Sequence, residues 1–356
     1  MKIKEVRTYH KDLGTSRPYS IAYKTVTEVV NAFVEIELEN GLVGIGAANP
    51  SVKVVGESVE DTIRTLAATD FSFLVGKSIS EFEGLLRETQ KRFQHLPGTN
   101  VAIDIALHDV FTKFLKVPLV RYFGQQHASL PTSITIGIKN VEETVKEAAE
   151  YHSMGFKIVK VKTGLNPEED AERVVKIQEA FSDFVIRVDA NQGYTVEDLN
   201  RFVELSKTVK LDLIEQPFKV NDFVPQISFL SDPVKELLVA DETCKSPSDA
   251  LMLSRWALGC RIYNIKLMKT GGLFAAREIA QIAGRSNVNL MWGCNDESAV
   301  SIAAALHLAL SYSHTKYLDL DGSLDLIEDV VTGGFTISDG YMAPSTGIGL
   351  GVSFNH

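Results

Sequence analysis

The chain is expected to fold as an α/β protein, a closed parallel barrel preceded by a smaller α+β unit. Three observations carry that expectation. From Leu130 onward, eight short apolar runs alternate with amphipathic helical stretches. Charged residues recur at the ends of those runs in nearly constant steps. Lys162 to Asp189 is 27 positions, Asp189 to Glu215 and Glu215 to Asp241 are 26 each, and Asp241 to Lys266 is 25. One strand plus one helix per step produces such regularity. Residues 1–125 lack this rhythm altogether.

The opening MKIKEVRTYH alternates like a strand and has no apolar stretch of the kind a secretory signal needs. Val29 to Leu38, followed by Glu39-Asn40-Gly41 and Leu42-Val43-Gly44, reads as an antiparallel meander with a glycine-containing turn. From Ser58 the pattern becomes helical, and Val101 to Phe114 keeps its apolar residues at helical spacing. The barrel is expected over residues 126–324, with strands at Ser133–Ile138, Ile158–Lys162, Val185–Asp189, Leu211–Glu215, Leu237–Asp241, Ile262–Leu267, Val288–Trp292 and Tyr317–Asp321. Ala299 to Leu310 is too short to span a bilayer and reads as a buried helix. The glycine-rich residues 325–356 are expected to return to the first unit.

Composition narrows the function classes. With 356 residues, 45% hydrophobic and 23% charged, the chain can build a large core, and disorder or coiled coil is excluded. A net charge of −10 argues against nucleic acid or an anionic membrane as partner. Cys244, Cys260 and Cys294 form neither a disulfide framework nor a metal clip, which fits a reducing, cytoplasmic setting. No phosphate-binding loop motif is present, and Gly44 and Gly46 lack the third glycine of a dinucleotide fingerprint.

The chemistry is concentrated at the strand ends. In Ile158-Val159-Lys160-Val161-Lys162, period two places both lysines on one face. On an edge strand they would simply be solvated. In a barrel one face looks inward, where an unpaired ammonium is costly, so acids or an anionic ligand must lie nearby. Acids do end the next three strands: Asp189, Glu215 and Asp241. Three converging carboxylates repel unless a cation holds them, and hard oxygen ligands with open positions suit Mg²⁺. Lys266 lies on the sixth strand, roughly across the barrel from Lys162, and Lys269 is expected to point away into solvent.

The series K-V-K, D-A-N, E-Q-P, A-D-E-T and N-I-K-L-M-K-T-G-G resembles the enolase superfamily, and within it the muconate-lactonizing subgroup. The resemblance runs over nearly the whole chain. It implies a modified TIM barrel, (β/α)7β, with an N-terminal α+β capping domain completed by the C-terminal segment. It also implies one Mg²⁺ per subunit, held by Asp189, Glu215 and Asp241, and two acid/base lysines, Lys162 and Lys266. Removing a proton next to a carboxylate places a second negative charge on that group, and a bound cation offsets it as an enediolate forms. The base must be a neutral amine, and the neighbouring Lys160 would disfavour the charged form of Lys162. Ala47 stands where many relatives carry Glu.

Asp319 and Asp321 resemble the paired acids that dipeptide epimerases place on a substrate's α-ammonium. Thr135 could donate to a carboxylate. The segment Met291 to Ser298, with Cys294, Asn295 and Asp296, resembles the epimerases' seventh-strand loop that cradles the peptide group. Arg17 to Thr25 resembles the mobile cap loop, with Lys24 where Ala-Glu epimerases carry an arginine for the distal carboxylate. The leading expectation is therefore a Mg²⁺-dependent dipeptide epimerase interconverting L,L and L,D dipeptides, with L-Ala-L/D-Glu favoured. The alternatives are o-succinylbenzoate synthase or N-acylamino acid racemase, and a non-catalytic barrel that binds an acidic metabolite. The expected partner is a small dipeptide, with neither nucleic acid nor membrane, and self-association into a homo-oligomer is left open.

Overall fold

The computed structural model describes residues 1–355 apart from 18, 22–23, 27 and 256–259, and gives the backbone alone for 19–21 and 24–26. The first unit opens with a three-stranded antiparallel sheet of Ile3–Asp12, Val30–Leu38 and Val43–Ala48, with the second of these in the middle. Its tight turn uses Gly41 at φ 82°, a conformation costly for residues bearing a Cβ. A 19-residue helix, Pro97–Leu115, packs on this sheet. Gly44 and Gly46 make that approach possible, since a Cβ at Gly46 would lie 1.9 Å from the Ala102 carbonyl oxygen. The Gly-x-Gly pair is thus a helix–sheet contact. The N-terminus of the helix is capped by the buried Glu57, which accepts the N–H groups of Gly98 at 2.6 Å and Thr99 at 3.0 Å.

The second unit is an eight-stranded parallel sheet whose strands follow chain order. Parallel strands covered on both faces need continuous Val/Ile-rich runs, and the sequence supplies them. Ile158–Lys162, Val185–Asp189 and Leu211–Glu215 coincide with the expected spans. The first strand is Ile134–Ile136, the fifth Leu238–Ala240, the sixth Ile262–Ile265, the seventh Asn289–Gly293 and the eighth Thr315–Asp319. Thr132 bridges Leu318 in parallel, and the Ser133 N–H donates to the Leu318 carbonyl at 3.0 Å, which joins first strand to last. Below the rim, Arg187 is buried across the interior, donating to the Leu318 carbonyl at 2.6 Å and to Asp212 at 3.0 Å.

The sixth strand stops earlier than expected. The Lys269 and Thr270 N–H groups bond back to the Lys266 carbonyl at 2.9 and 3.1 Å, so Leu267–Thr270 forms one helical turn. Ala299–Ala309 is a buried helix. The closing residues contact both units. Tyr341–Pro344 pairs with Leu130–Pro131 at the barrel entrance, and the Leu350 N–H donates to Asp109 of the long first-unit helix at 2.9 Å. Among the described residues, no helix is long and apolar enough to cross a membrane.

Candidate active site

Strand register assembles the site. Lys162 lies opposite Asp189, and Asp189 lies opposite Glu215, so three chemically distinct side chains share one level of the barrel. Asp241 and Lys266 sit one residue beyond the ends of their own strands, where the backbone turns away and the side chain stays at the rim. Asn191 and Gln216 follow at φ 43° and 36°, left-handed values that concentrate backbone strain at this rim. Gln216 ties two strand ends together, since its Oε1 accepts the Asp241 N–H at 2.9 Å and the Thr243 N–H at 3.1 Å.

Lysines are threaded between the carboxylates. Lys160 Nζ is 2.7 Å from Glu215 Oε2, 2.7 Å from Asp319 Oδ2 and 3.3 Å from Asp189 Oδ2. Lys162 Nζ donates to Asp189 Oδ2 at 2.7 Å and to Asn191 Oδ1 at 3.2 Å. At the other end of the row, Lys266 Nζ is 3.0 Å from Asp241 Oδ2 and 3.9 Å from Glu215 Oε1. The two candidate bases therefore stand at opposite ends of the carboxylate series. Lys160 is deeper, with 2% of its side chain exposed against 18% for Lys162, so only the latter reaches the open rim.

The charges set the proton affinities. Burial opposes ionisation of Asp189, yet the Lys162 and Lys160 ammoniums outweigh it and hold the carboxyl at about 2. Glu215 goes the other way, pushed up to about 8 by burial and by the neighbouring Asp189 charge. Burial favours neutral Lys160 and Lys266, but the surrounding carboxylates win and both are raised. Lys160 thus stands among three carboxylates, the nearby acids that an inward-facing lysine requires.

Asp319 and Asp321 have different partners in the structure. The eighth strand ends at Asp319, two residues short of the expected end at Asp321. Both oxygens of Asp319 are engaged, one by Lys160 and the other by the Ser133 hydroxyl at 2.6 Å. Asp321 accepts the Thr135 backbone N–H at 2.7 Å and is pushed up to about 7 by burial and the Asp319 charge. Cys294 donates its thiol to the Asp319 carbonyl at 3.2 Å, and burial raises it well above the ordinary thiol range, which leaves it un-nucleophilic. Asn295 is tied to the first unit, donating to the Asn49 carbonyl at 2.9 Å, and Asn49 donates in return to the Asp296 carbonyl at 2.7 Å. The Lys24 side chain lies outside the described residues.

Lys269 corrects the sequence reading. It is 6% exposed, not solvated, because the helical turn after Lys266 swings it inward. Its ammonium bonds the Asp241 carboxylate and the Asn264 and Cys244 carbonyls, the latter two at 2.9 and 3.2 Å. Asn264, which shares the inward face with Lys266, donates to Glu215 Oε1 at 2.7 Å. Ser133, Gln216 and Glu242 also belong to the site and were missed. Gln216 and Glu242 had a signal, each following a strand-end acid directly.

The donor set fits a hard divalent cation. Three carboxylates end adjacent strands, and Glu215 Oε2 accepts no hydrogen bond, because the Lys160 contact is close but poorly aligned. Among the described residues, no three acids, histidines or cysteines converge directly on one point, since the lysine ammoniums bridge neighbouring carboxylates.

Comparison with known proteins agrees with this geometry. Residues 3–124 match the mandelate racemase/muconate lactonizing enzyme N-terminal domain, and residues 143–356 match the family described as enolase C-terminal domain-like. An L-Lys-D/L-Arg epimerase of Desulforapulum autotrophicum is 47% identical over 99% of both chains. The crystal structure of a dipeptide epimerase from Methylococcus capsulatus, complexed with Mg and the dipeptide L-Arg-D-Lys, superposes with a TM-score of 0.96 at 42% identity, covering 99% of this chain and 100% of that one. The substrate-liganded L-Ala-D/L-Glu epimerase of Bacillus subtilis superposes at 0.91 with 28% identity, covering 99% of both chains. With both domains matched in order along one chain, the protein belongs to the mandelate racemase/muconate lactonizing enzyme branch of the enolase superfamily, in the company of its dipeptide epimerases.

Proposed function

We propose that the protein is a Mg²⁺-dependent dipeptide epimerase that inverts the α-carbon of the C-terminal residue by two-base proton transfer. The observation that carries this reading is the placement of Lys162 and Lys266 at opposite ends of the Asp189–Glu215–Asp241 series. A substrate carboxylate centred on that series presents its α-carbon between two amines. Lys162 takes the proton of the L form, and Lys266 delivers one to the opposite face. Asp189, Glu215 and Asp241 would hold Mg²⁺, which would supply Lewis acidity at the substrate carboxylate. Asp321 receives the dipeptide's free ammonium, and the Asn49–Asn295 contact closes the cap over the peptide group.

For side chains, the reading favours cationic dipeptides. Glu242, Glu297 and Asp321 are buried carboxyls, each raised to about 7 by burial first. None of them forms an ion pair among the described residues, and with Asp321 assigned to the dipeptide's ammonium, Glu242 and Glu297 are the two carboxyls that a basic side chain would help to ionise. Two relatives at 47% and 42% identity are named L-Lys-D/L-Arg epimerases. The L-Ala-L/D-Glu preference rested on Lys24 alone.

The test is a dipeptide library incubated with the enzyme and Mg²⁺ in D₂O, read by mass spectrometry. Dipeptides ending in Lys or Arg should acquire α-deuterium fastest, whereas fastest exchange of L-Ala-L-Glu would restore the acidic preference. Lys266→Ala should still wash deuterium into the L,L form while making no L,D product, and Lys162→Ala should do the reverse. Near-wild-type epimerisation by either variant would sink the two-base reading.

A further inference from the structure

The loop that begins at Lys266 is not supported by the barrel alone. Its single helical turn runs from Leu267 to Thr270 and leaves through Gly271 and Gly272, both at positive φ. The next helix, Leu273–Arg285, starts with no side-chain cap of its own. Its first N–H groups are instead taken by Asp104, which belongs to the long helix of the capping domain. Oδ1 accepts from Leu273 at 2.7 Å and Oδ2 from Phe274 at 3.2 Å. Asn100, one turn earlier on that helix, donates to the Gly271 carbonyl. Asp104 is 1% exposed, and a Cβ on Gly272 would lie 2.5 Å from its Cγ, so the loop is pressed directly onto the carboxylate.

The loop after Lys162 is held differently. There Asp170 accepts the Gly164 N–H at 2.8 Å and the Tyr194 hydroxyl at 2.6 Å, and Arg173 donates to the Lys162 carbonyl at 3.0 Å. All of these residues belong to the barrel. One candidate base is thus anchored by barrel residues, and the other by the barrel, through Lys269, together with a buried carboxylate of the cap.

We infer that Asp104 is a positioning residue for Lys266, coupling the seating of the capping domain to one of the two proton-transfer faces. The argument is geometric. The Lys266 carbonyl receives the N–H groups of Lys269 and Thr270, so the turn is continuous from the base to Gly271, whose carbonyl Asn100 holds, and on to the Leu273 and Phe274 N–H groups that Asp104 accepts. Releasing the far end of that turn loosens its first residue. A displacement of about 1 Å at a reacting group costs on the order of 100-fold in rate. The loss falls on the face that Lys266 serves and leaves Lys162 on its own support.

The inference rests on the two-base reading, and its test separates the two. Wild type, Asp104→Ala, Asp104→Asn and Asp170→Asn are incubated in D₂O with an active dipeptide, supplied as the L,L or the L,D epimer. The initial rate of α-deuteration is then measured for each form. Asp104→Ala should slow exchange of the L,D epimer, served by Lys266, at least ~10-fold more than exchange of the L,L epimer. KM should change much less than kcat. Asp104→Asn, which keeps one acceptor, should show the same bias to a smaller degree, and Asp170→Asn should show the opposite bias. A merely structural role would lower both rates by one factor, and equal losses in the Asp104 variants overturn the inference. Epimerisation surviving in Lys266→Ala would overturn the two-base reading itself.

Discussion

Asp319 and Asp321 are two positions apart and have different partners. Asp319 spends both oxygens on Lys160 and Ser133, so it stabilises the carboxylate–lysine lattice from the far side. Asp321 accepts the Thr135 N–H at 2.7 Å and the Cys294 thiol at 3.8 Å but forms no ion pair among the described residues, so it retains capacity for a cation. Asp321→Asn should therefore lower kcat/KM for a free dipeptide roughly 100-fold, the scale of one charged hydrogen bond, with little further loss when the dipeptide is N-acetylated. Asp319→Asn should instead raise the Mg²⁺ concentration needed for half-activation, because Lys160 would then lean on Glu215 and Asp189. Steady-state kinetics with a Mg²⁺ titration distinguishes the two. Identical phenotypes would mean that the acids do act as a pair.

At the scale of single elements, the long helix Pro97–Leu115 joins the molecule together. Glu57 caps its start, Asp104 reaches the barrel loop, and Asp109 accepts the N–H groups of Ile45 at 3.0 Å and Leu350 at 2.9 Å. Each acid satisfies donors that would otherwise be buried without partners. Glu57→Ala strands the N–H groups of Gly98 and Thr99 and should cost about 2–4 kcal/mol in urea unfolding. A cost below about 0.5 kcal/mol, the size of an ordinary surface substitution, would show that water replaces the cap.

Taken whole, the molecule responds to pH and metal through groups deep in its interior. His307, in the buried helix, accepts the Val120 N–H at 2.9 Å, and burial lowers it to about 4 from 6.5. The unfolded chain binds that proton first, so stability is lost as pH falls from about 6.5 toward 4, by about 3 kcal/mol for this one group. His307→Asn preserves an acceptor and removes the proton site. Its melting temperature should fall less steeply over that window, and an unchanged slope would place the acid sensitivity elsewhere. Binding of Mg²⁺ to the folded state alone should raise the melting temperature with concentration, and chelator should reverse that rise together with activity. Activity undiminished in excess chelator would remove the metal from the reading.

What the sequence determined by itself is the strand-end chemistry. Lys162, Asp189 and Glu215 were legible because three strands end on them, a constant step separates them, and period two fixes their face. The eight-strand alternation followed from the same local signals, with the parallel order confirmed strand by strand. Strand ends on the other side of the barrel were less legible, because hydrogen bonds to neighbours decide where a strand stops. Lys269 is the sharpest case. One turn of helix, closed by two N–H bonds to the Lys266 carbonyl, changed a solvated lysine into a buried partner of Asp241. The separation of Asp319 from Asp321, the Gln216 tie and the reach of Asp104 into the barrel belong to the same class. Each joins residues that are far apart in the chain or turns on the exact end of a strand, and such contacts are set by three-dimensional packing, which no local periodicity records.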